Sequence, residues 1–269
     1  MALPAPAPQR TSIVTGASSG IGVELARLLA ARGHGVTLVA RREERLAALA
    51  EELAAAHGIR AEVVATDLTD EAARTRLLDT VAERGLTVDV LVNNAGLSTT
   101  GPVASSTLAD ELRMVRTDVE AVVHLCSAVV PGMVERGRGA VLNVASMAAF
   151  QPLPGQAGYA GSKAFVLSYT RAMAQELRGS GVTATTLCPG PVETEFAAAG
   201  GFDEEEAAGS LPRVMWVSAH EVALAGIEGM ERGRDVVIPG AVNRVAAGVA
   251  HLVPRRVLLP ILAKQHPSL

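Results

Sequence analysis

A doubly wound α/β domain with a seven-stranded, mostly parallel sheet and helices on both faces is the fold that three features of the sequence predict. Short apolar segments of strand length recur along most of the chain and alternate with segments whose leucines fall at helical spacing. The first of them, 12–15, runs straight into a glycine-rich turn at Gly16, Gly20 and Gly22. The second, 35–40, is apolar across both of its faces, as in a parallel sheet covered from above and below. At 269 residues the chain can bury one large core as a single domain over 11–240, with a helical extension over 241–269.

Composition excludes several classes. A formal net charge of −4, a pI near 5.9 and the lack of any long lysine or arginine block argue against a nucleic-acid partner. Cys126 and Cys188 lie in apolar surroundings, as reduced thiols of a cytoplasmic protein would. Residues 1–10 are rich in proline and alanine without the basic and apolar regions of a secretion signal, so a disordered tail is expected there. The longest apolar runs fall short of the roughly 20 residues of a membrane span, and membrane association is not expected.

In chain order, Thr15 closes the first strand, and the glycines let the backbone turn tightly and approach a ligand. A helix over 23–32 follows, with Leu25, Leu28 and Leu29 on one face, and its N-terminal N–H groups form an anion site suited to a pyrophosphate. The strand 35–40 ends without the acidic residue that would bind a ribose 2′-hydroxyl. Arg41 and Arg42 stand there instead, and their charge favours a 2′-phosphate, hence NADP(H) over NAD(H), with NAD(H) kept as the second cofactor. The competing reading makes them the start of the helix that carries Leu46, Leu49 and Leu53. A third strand over 62–66 leads to Asp67 and Leu68, with Thr69 or Asp70 capping the next helix, a role Asp67 could also take.

A fourth strand over 88–92 ends in Asn93, Asn94, Ala95 and Gly96, where side-chain amides can bridge neighbouring strand ends. The stretch 108–135 is helical and apolar nearly all round over 119–130, the composition of a core helix or of one half exposed to a partner subunit. The fifth strand, 140–144, leads to Ser146, at the sheet edge where open α/β folds bind ligands. Tyr159 and Lys163 follow at i and i+4, one helical turn apart, so that an ammonium sits beside a phenol. A cation there favours the phenolate, whose pKa is otherwise near 10. The sixth strand, 182–187, enters the turn Pro189, Gly190, Pro191, Val192, Glu193, Thr194. The small and acidic stretch 195–212 has the composition of a substrate lid, and Phe196, Phe202, Leu211, Met215 and Trp216 on its borders suit either an apolar pocket or core packing. A helix over 217–231 opens with a capping box at Ser218 and Glu221, and 236–238 is a seventh strand. Over 241–264 an apolar helical segment is interrupted at Pro254 and Pro260, and it either packs on a partner subunit, covers the substrate pocket or lies on a membrane, the first two being favoured.

Thr15-Gly-x-x-x-Gly-x-Gly22, Asn93-Asn-Ala-Gly96, Ser146, Tyr159-x-x-x-Lys163 and Pro189-Gly190, in this order, resemble the short-chain dehydrogenase/reductase family across about 11–239. The resemblance implies a Rossmann fold and hydride transfer between a nicotinamide and a small-molecule carbonyl or alcohol. It implies Tyr159 as general acid/base, Lys163 as holder of the nicotinamide ribose and Ser146 as the group that orients the carbonyl, without a metal. The implied cofactor contacts are Gly16, Ser18, Ser19, Gly20, Ile21, Gly22, Arg41, Arg42, Asp67, Leu68, Asn94, Ala95, Gly96, Pro189, Gly190, Val192 and Thr194, besides Tyr159 and Lys163. Among these Ser18 would meet a 2′-phosphate, Asp67 the adenine, and Thr194 the carboxamide or a phosphate. A homodimer or homotetramer is implied as well. The active-site Asn of the family corresponds to Asp118 here, a departure that would place negative charge near Lys163 if it points inward. An NADP-dependent reductase of apolar ketones is the leading expectation, and a cofactor-binding regulator with weak or no turnover is the alternative.

Overall fold

Seven strands form one sheet in the order β3-β2-β1-β4-β5-β6-β7, and every neighbouring pair is parallel. They are β1 (Arg10–Thr15), β2 (Gly35–Ala40), β3 (Ala61–Ala65), β4 (Thr87–Asn93), β5 (Gly139–Val144), β6 (Val182–Leu187) and β7 (Val236–Val237). This computed structural model describes residues 3–196, 212–253 and 255–265. The greater part of the expected lid, 195–212, lies outside the described residues.

Helices connect the strands: α1 (Gly20–Ala31), α2 (Glu43–His57), α3 (Glu71–Glu83), α4 (Leu108–Val115), α5 (Ala121–Glu135), α6 (Ala157–Glu176) and α7 (Ala219–Glu231). Alternation along the strands sends neighbouring side chains to opposite faces. Ile13, Leu91 and Val141 face a core completed by α3, α5 and α6, whereas Val14, Val90, Val92, Ala140 and Leu142 face one completed by α1, α2 and α7. Leu25, Leu29, Leu46 and Leu53 are almost wholly buried in the second core, each contributing about 1.5–3 kcal/mol relative to exposure.

Three features differ from the sequence expectation or refine it. Residues 3–9 lie against the domain: Leu3 packs on the second core, Thr87 N–H donates to the Gln9 carbonyl at 2.9 Å, and Arg138 donates to the Ala5 carbonyl. The helix over Leu108–Glu135 is continuous through a π-helical turn at Arg116–Glu120 and through Pro131. At 28 residues it is long and apolar enough to cross a membrane, yet Met114, Leu125, Cys126 and Met133 are buried in the protein core. The third concerns α8 (Ala241–Leu252) and α9 (Arg255–Gln265), where the chain breaks near Pro254 as expected but Pro260 sits inside α9. Pro260 and Arg256, four residues before it, are both exposed, so water can satisfy the carbonyl that the proline leaves without an N–H.

The sheet order reverses between β1 and β4, the two strands that carry the glycine turn and the Asn-Asn-Ala-Gly segment at their carboxyl ends. In an open parallel sheet such a reversal separates the flanking loops and leaves a crevice between them. The candidate site lies there.

Candidate active site

The crevice is an open cleft of about 730 Å3. Its floor begins at the glycine turn, where Gly16 and Gly20 adopt φ of +67° and +55°, the left-handed region that side chains disfavour. A Cβ on Gly16 would also lie 2.8 Å from Asn94 Nδ2 and 2.9 Å from Ala95 Cα, so the turn closes tightly on the end of β4. Gly22 bears out the expected tight turn but does not line the cleft. A Cβ there would collide with the Gly16 carbonyl and come within 2.6 Å of Asn94 Nδ2, so Gly22 lets α1 pack on its own turn. All the other expected site residues line the cleft.

Thr15 and Asn94 lock the two strand ends together. Thr15 Oγ1 accepts from the backbone N–H groups of Asn94 and Ala95 at 2.9 and 3.0 Å, and Asn94 Nδ2 donates to the Thr15 carbonyl at 3.0 Å. Beneath them the Asn93 amide bridges to β5 as expected, and it opens a buried relay whose further members sequence reasoning did not find. Asn93 Nδ2 donates to Asn143 Oδ1 at 2.8 Å, Asn143 Nδ2 to Thr170 Oγ1 at 2.9 Å, and Thr170 Oγ1 to the Val166 carbonyl at 2.7 Å. It ties β4 and β5 to α6, the helix of Tyr159 and Lys163, and a lone Asn within an apolar strand gave no signal of it.

At the opening of α1, Ser19 makes no capping hydrogen bond and the first turn holds no acidic residue. Its N–H groups and positive dipole end therefore have no anion from the helix's own first turn, the setting that accepts a phosphate. At one end of the cleft Arg42 donates to Ser18 Oγ through Nε at 3.1 Å and Nη2 at 3.0 Å. Asp67 lines the same end while its Oδ1 accepts from the Thr69 N–H and hydroxyl at 3.0 and 2.8 Å. Asp70, not Asp67, caps α3, accepting from the Ala72 N–H at 2.8 Å.

Ser146, Tyr159 and Lys163 meet in the cleft beyond the glycine turn. Ser146 Oγ accepts from the Ala148 N–H at 3.1 Å, which fixes its rotamer, and the Ser146 hydroxyl lies beside the Tyr159 phenol, where it favours the phenolate. Lys163 Nζ lies 5.7 Å from the centre of the Tyr159 ring, donates to the Val144 carbonyl at 3.3 Å, and forms an ion pair with Asp118 Oδ2 at 2.9 Å. Asp118 therefore points inward, its other oxygen accepting from the Leu97 N–H at 2.7 Å. It sits in the π-helical turn, a widened turn that recurs at functional sites and that the sequence did not reveal.

Charge in this pocket is set by burial and by the pair. Burial disfavours the charged Lys163, but Asp118 together with the Tyr159 phenol outweighs it and holds the lysine above its ordinary value, while burial holds Asp118 above the ordinary carboxylate value against the pull of Lys163. Burial pushes the Tyr159 phenol up, Lys163 pulls it down and Asp118 pushes it up again, leaving it above the ordinary tyrosine value.

The far end of the cleft is apolar, lined by Met147, Phe150, Leu153, Met215, Trp216, Ala246 and Leu262. Ala246 and Leu262 come from α8 and α9. Asn243, wholly buried, anchors α8 by donating to the Met215 and Pro239 carbonyls at 3.0 Å each, and Arg255 holds α9 by donating to the Phe150 carbonyl at 3.2 Å. The C-terminal extension thus covers this end of the cleft. The phosphate-accepting turn, the cation-rich end and the catalytic-type triplet fit a nicotinamide dinucleotide laid along the floor.

Comparison with known proteins places this arrangement in a class. Residues 10–204 match the family model described as short chain dehydrogenase, and the chain belongs to the short-chain dehydrogenase/reductase family. It is a nicotinamide-nucleotide-dependent oxidoreductase that acts on CH–OH groups. Sulfoacetaldehyde reductase 2 of Chromohalobacter salexigens is 40% identical over 186 residues, 68% of this chain and 73% of that protein. A short-chain dehydrogenase from Sphingobium yanoikuyae in complex with NADPH superimposes with a TM-score of 0.79 at 31% identity, covering 91% of this chain and 97% of that one. Another from Burkholderia phymatum, in complex with NAD, gives 0.81 at 26% identity, covering 90% and 93%.

Proposed function

We propose that the chain is an NADP-dependent carbonyl reductase or alcohol dehydrogenase of apolar ketones and secondary alcohols. The observation that carries this reading is the Tyr159 phenol, set beside Ser146 and with Lys163 Nζ 5.7 Å from its ring centre, within a cleft that opens into the apolar chamber formed by Met147, Phe150, Met215, Trp216 and Leu262. The bound nicotinamide supplies the hydride in reduction and takes it in oxidation. Ser146 donates to the substrate oxygen and orients it, Tyr159 delivers the proton to that oxygen or removes it, and Lys163 holds the ribose and keeps a cation beside the phenol. Arg41 and Arg42 at the end of β2, with Ser18 from the glycine turn after β1, support NADP.

Among the described residues lining the chamber there is no lysine or arginine, which speaks against an anionic substrate such as the one in the name of the Chromohalobacter relative. The chamber instead offers apolar contacts, which account for ketones with large side groups. A homo-oligomer in the cytoplasm completes the reading, supported by the exposed Leu108, Leu112 and Val115 on α4, by Phe165 on α6, and by the two unpaired cysteines. Purified protein incubated with NADPH and a panel of aryl and alkyl ketones tests it through the absorbance of the reduced cofactor. Faster turnover of large ketones than of charged short aldehydes supports the substrate class, and the reverse order overturns it.

A further inference from the structure

The cation-rich end of the cleft already holds an anion, and it comes from the protein itself. Arg42 Nη1 lies 2.8 Å from Glu195 Oε2, and Arg45 Nη1 lies 2.8 and 3.0 Å from the two Glu195 oxygens. The same Arg42 is steadied from behind by Ser18 Oγ. Glu195 belongs to the opposite wall: it follows Thr194, whose methyl would meet a Cβ built on Gly20 at 3.0 Å. A carboxylate from beyond β6 therefore spans the cleft and takes the guanidinium donors that the end of β2 presents.

A carboxylate and a phosphate compete for such donors because each accepts the same pairs of charge-assisted hydrogen bonds. The acid missing from the end of β2 is supplied by Glu195 from across the cleft, next to where that strand would meet the ribose. We propose that Glu195 is a cofactor-specificity residue: its side chain occupies the seat of the 2′-phosphate, weakens NADP(H) by competition, and keeps the site open to a cofactor that carries a 2′-hydroxyl. This inference rests on the reading of Ser18, Arg41 and Arg42 as the 2′-phosphate site.

The three side chains are about half exposed, so each pair is weak and the competition is worth a modest factor. Titration calorimetry with 2′,5′-ADP and 5′-AMP on the full chain separates the two readings without turnover. The wild type is expected to prefer 2′,5′-ADP, and Arg42→Ala to lose most of that preference. Glu195→Gln and Glu195→Ala are both expected to bind 2′,5′-ADP about threefold to tenfold more tightly, with 5′-AMP unchanged within about twofold. If the wild type binds both nucleotides equally, the 2′-phosphate reading and this inference fall together. If the wild type and Arg42→Ala behave as expected while the Glu195 variants bind 2′,5′-ADP no more tightly than the wild type, the inference about Glu195 alone is overturned.

Discussion

Asp118 Oδ2 lies 2.9 Å from Nζ of Lys163, and both side chains are almost entirely withdrawn from solvent. At this separation the carboxylate cancels much of the charge that the lysine would otherwise direct at Tyr159, and it replaces a neutral amide at the corresponding place in the family. The sign of its effect on catalysis follows. Oxidation of an alcohol needs the phenolate, and a negative charge beside Lys163 raises the phenol's pKa, so the acid limb of the pH–rate profile is displaced toward higher pH. Asp118→Asn removes that charge and should move the limb toward lower pH. Superimposable profiles for the two proteins would remove Asp118 from the proton chemistry and leave it a packing residue.

The glycine turn carries a separate expectation about stability. A methyl group on Gly22 is driven into the Gly16 carbonyl, and backbone rather than a flexible side-chain end is what it meets. Gly22→Ala should cost about 1–3 kcal/mol and weaken nucleotide binding, because the turn must open to admit the methyl. An unchanged melting temperature would mean that α1 shifts freely on its turn.

Leu262 tests the role of the C-terminal extension. It reaches the cleft from α9, which Arg255 holds against the Phe150 carbonyl. Leu262→Ala should raise KM for a large apolar ketone by roughly tenfold while leaving nucleotide affinity unchanged. A loss of nucleotide affinity with KM preserved would contradict the placement of α9 over the substrate end.

Cys126 and Cys188 are buried, and burial pushes both thiols up to about 12. The thiolate is the reactive form, so at pH 8 a disulfide reagent should leave both untouched in the folded protein and label both after denaturation. Rapid labelling of the native protein would show that one of them opens to solvent.

Much of this was legible in the sequence because its signals are local. The glycine turn, the seven strands, the capping box at Ser218 and Glu221, and the spacing of Tyr159 and Lys163 each depend on residues close together in the chain, and the structure places the strands within one or two residues of expectation. What the sequence withheld depends on residues brought together by folding. The inward aim of Asp118 is set by the π-helical turn, whose extra residue no hydrophobic period records. The Asn93–Asn143–Thr170 relay joins three elements. The Asn243 bond to the Met215 carbonyl and the Glu195 bridge to Arg42 join residues far apart in sequence, and each residue read alone is an ordinary polar side chain. Pro260 was misjudged for another reason: an exposed proline costs a helix one hydrogen bond, which water can replace.

The central claim is that Tyr159, seated between Ser146 and Lys163, moves the proton that accompanies hydride transfer. It is tested most directly by comparing wild type and Tyr159→Phe in NADPH-dependent reduction of a large apolar ketone, with NADPH affinity measured in parallel. Wild-type turnover should fall by about 10²–10⁴-fold in the variant while NADPH affinity stays within about threefold. A variant that turns over as fast as the wild type, or a wild type that binds NADPH yet reduces no carbonyl compound, would contradict it.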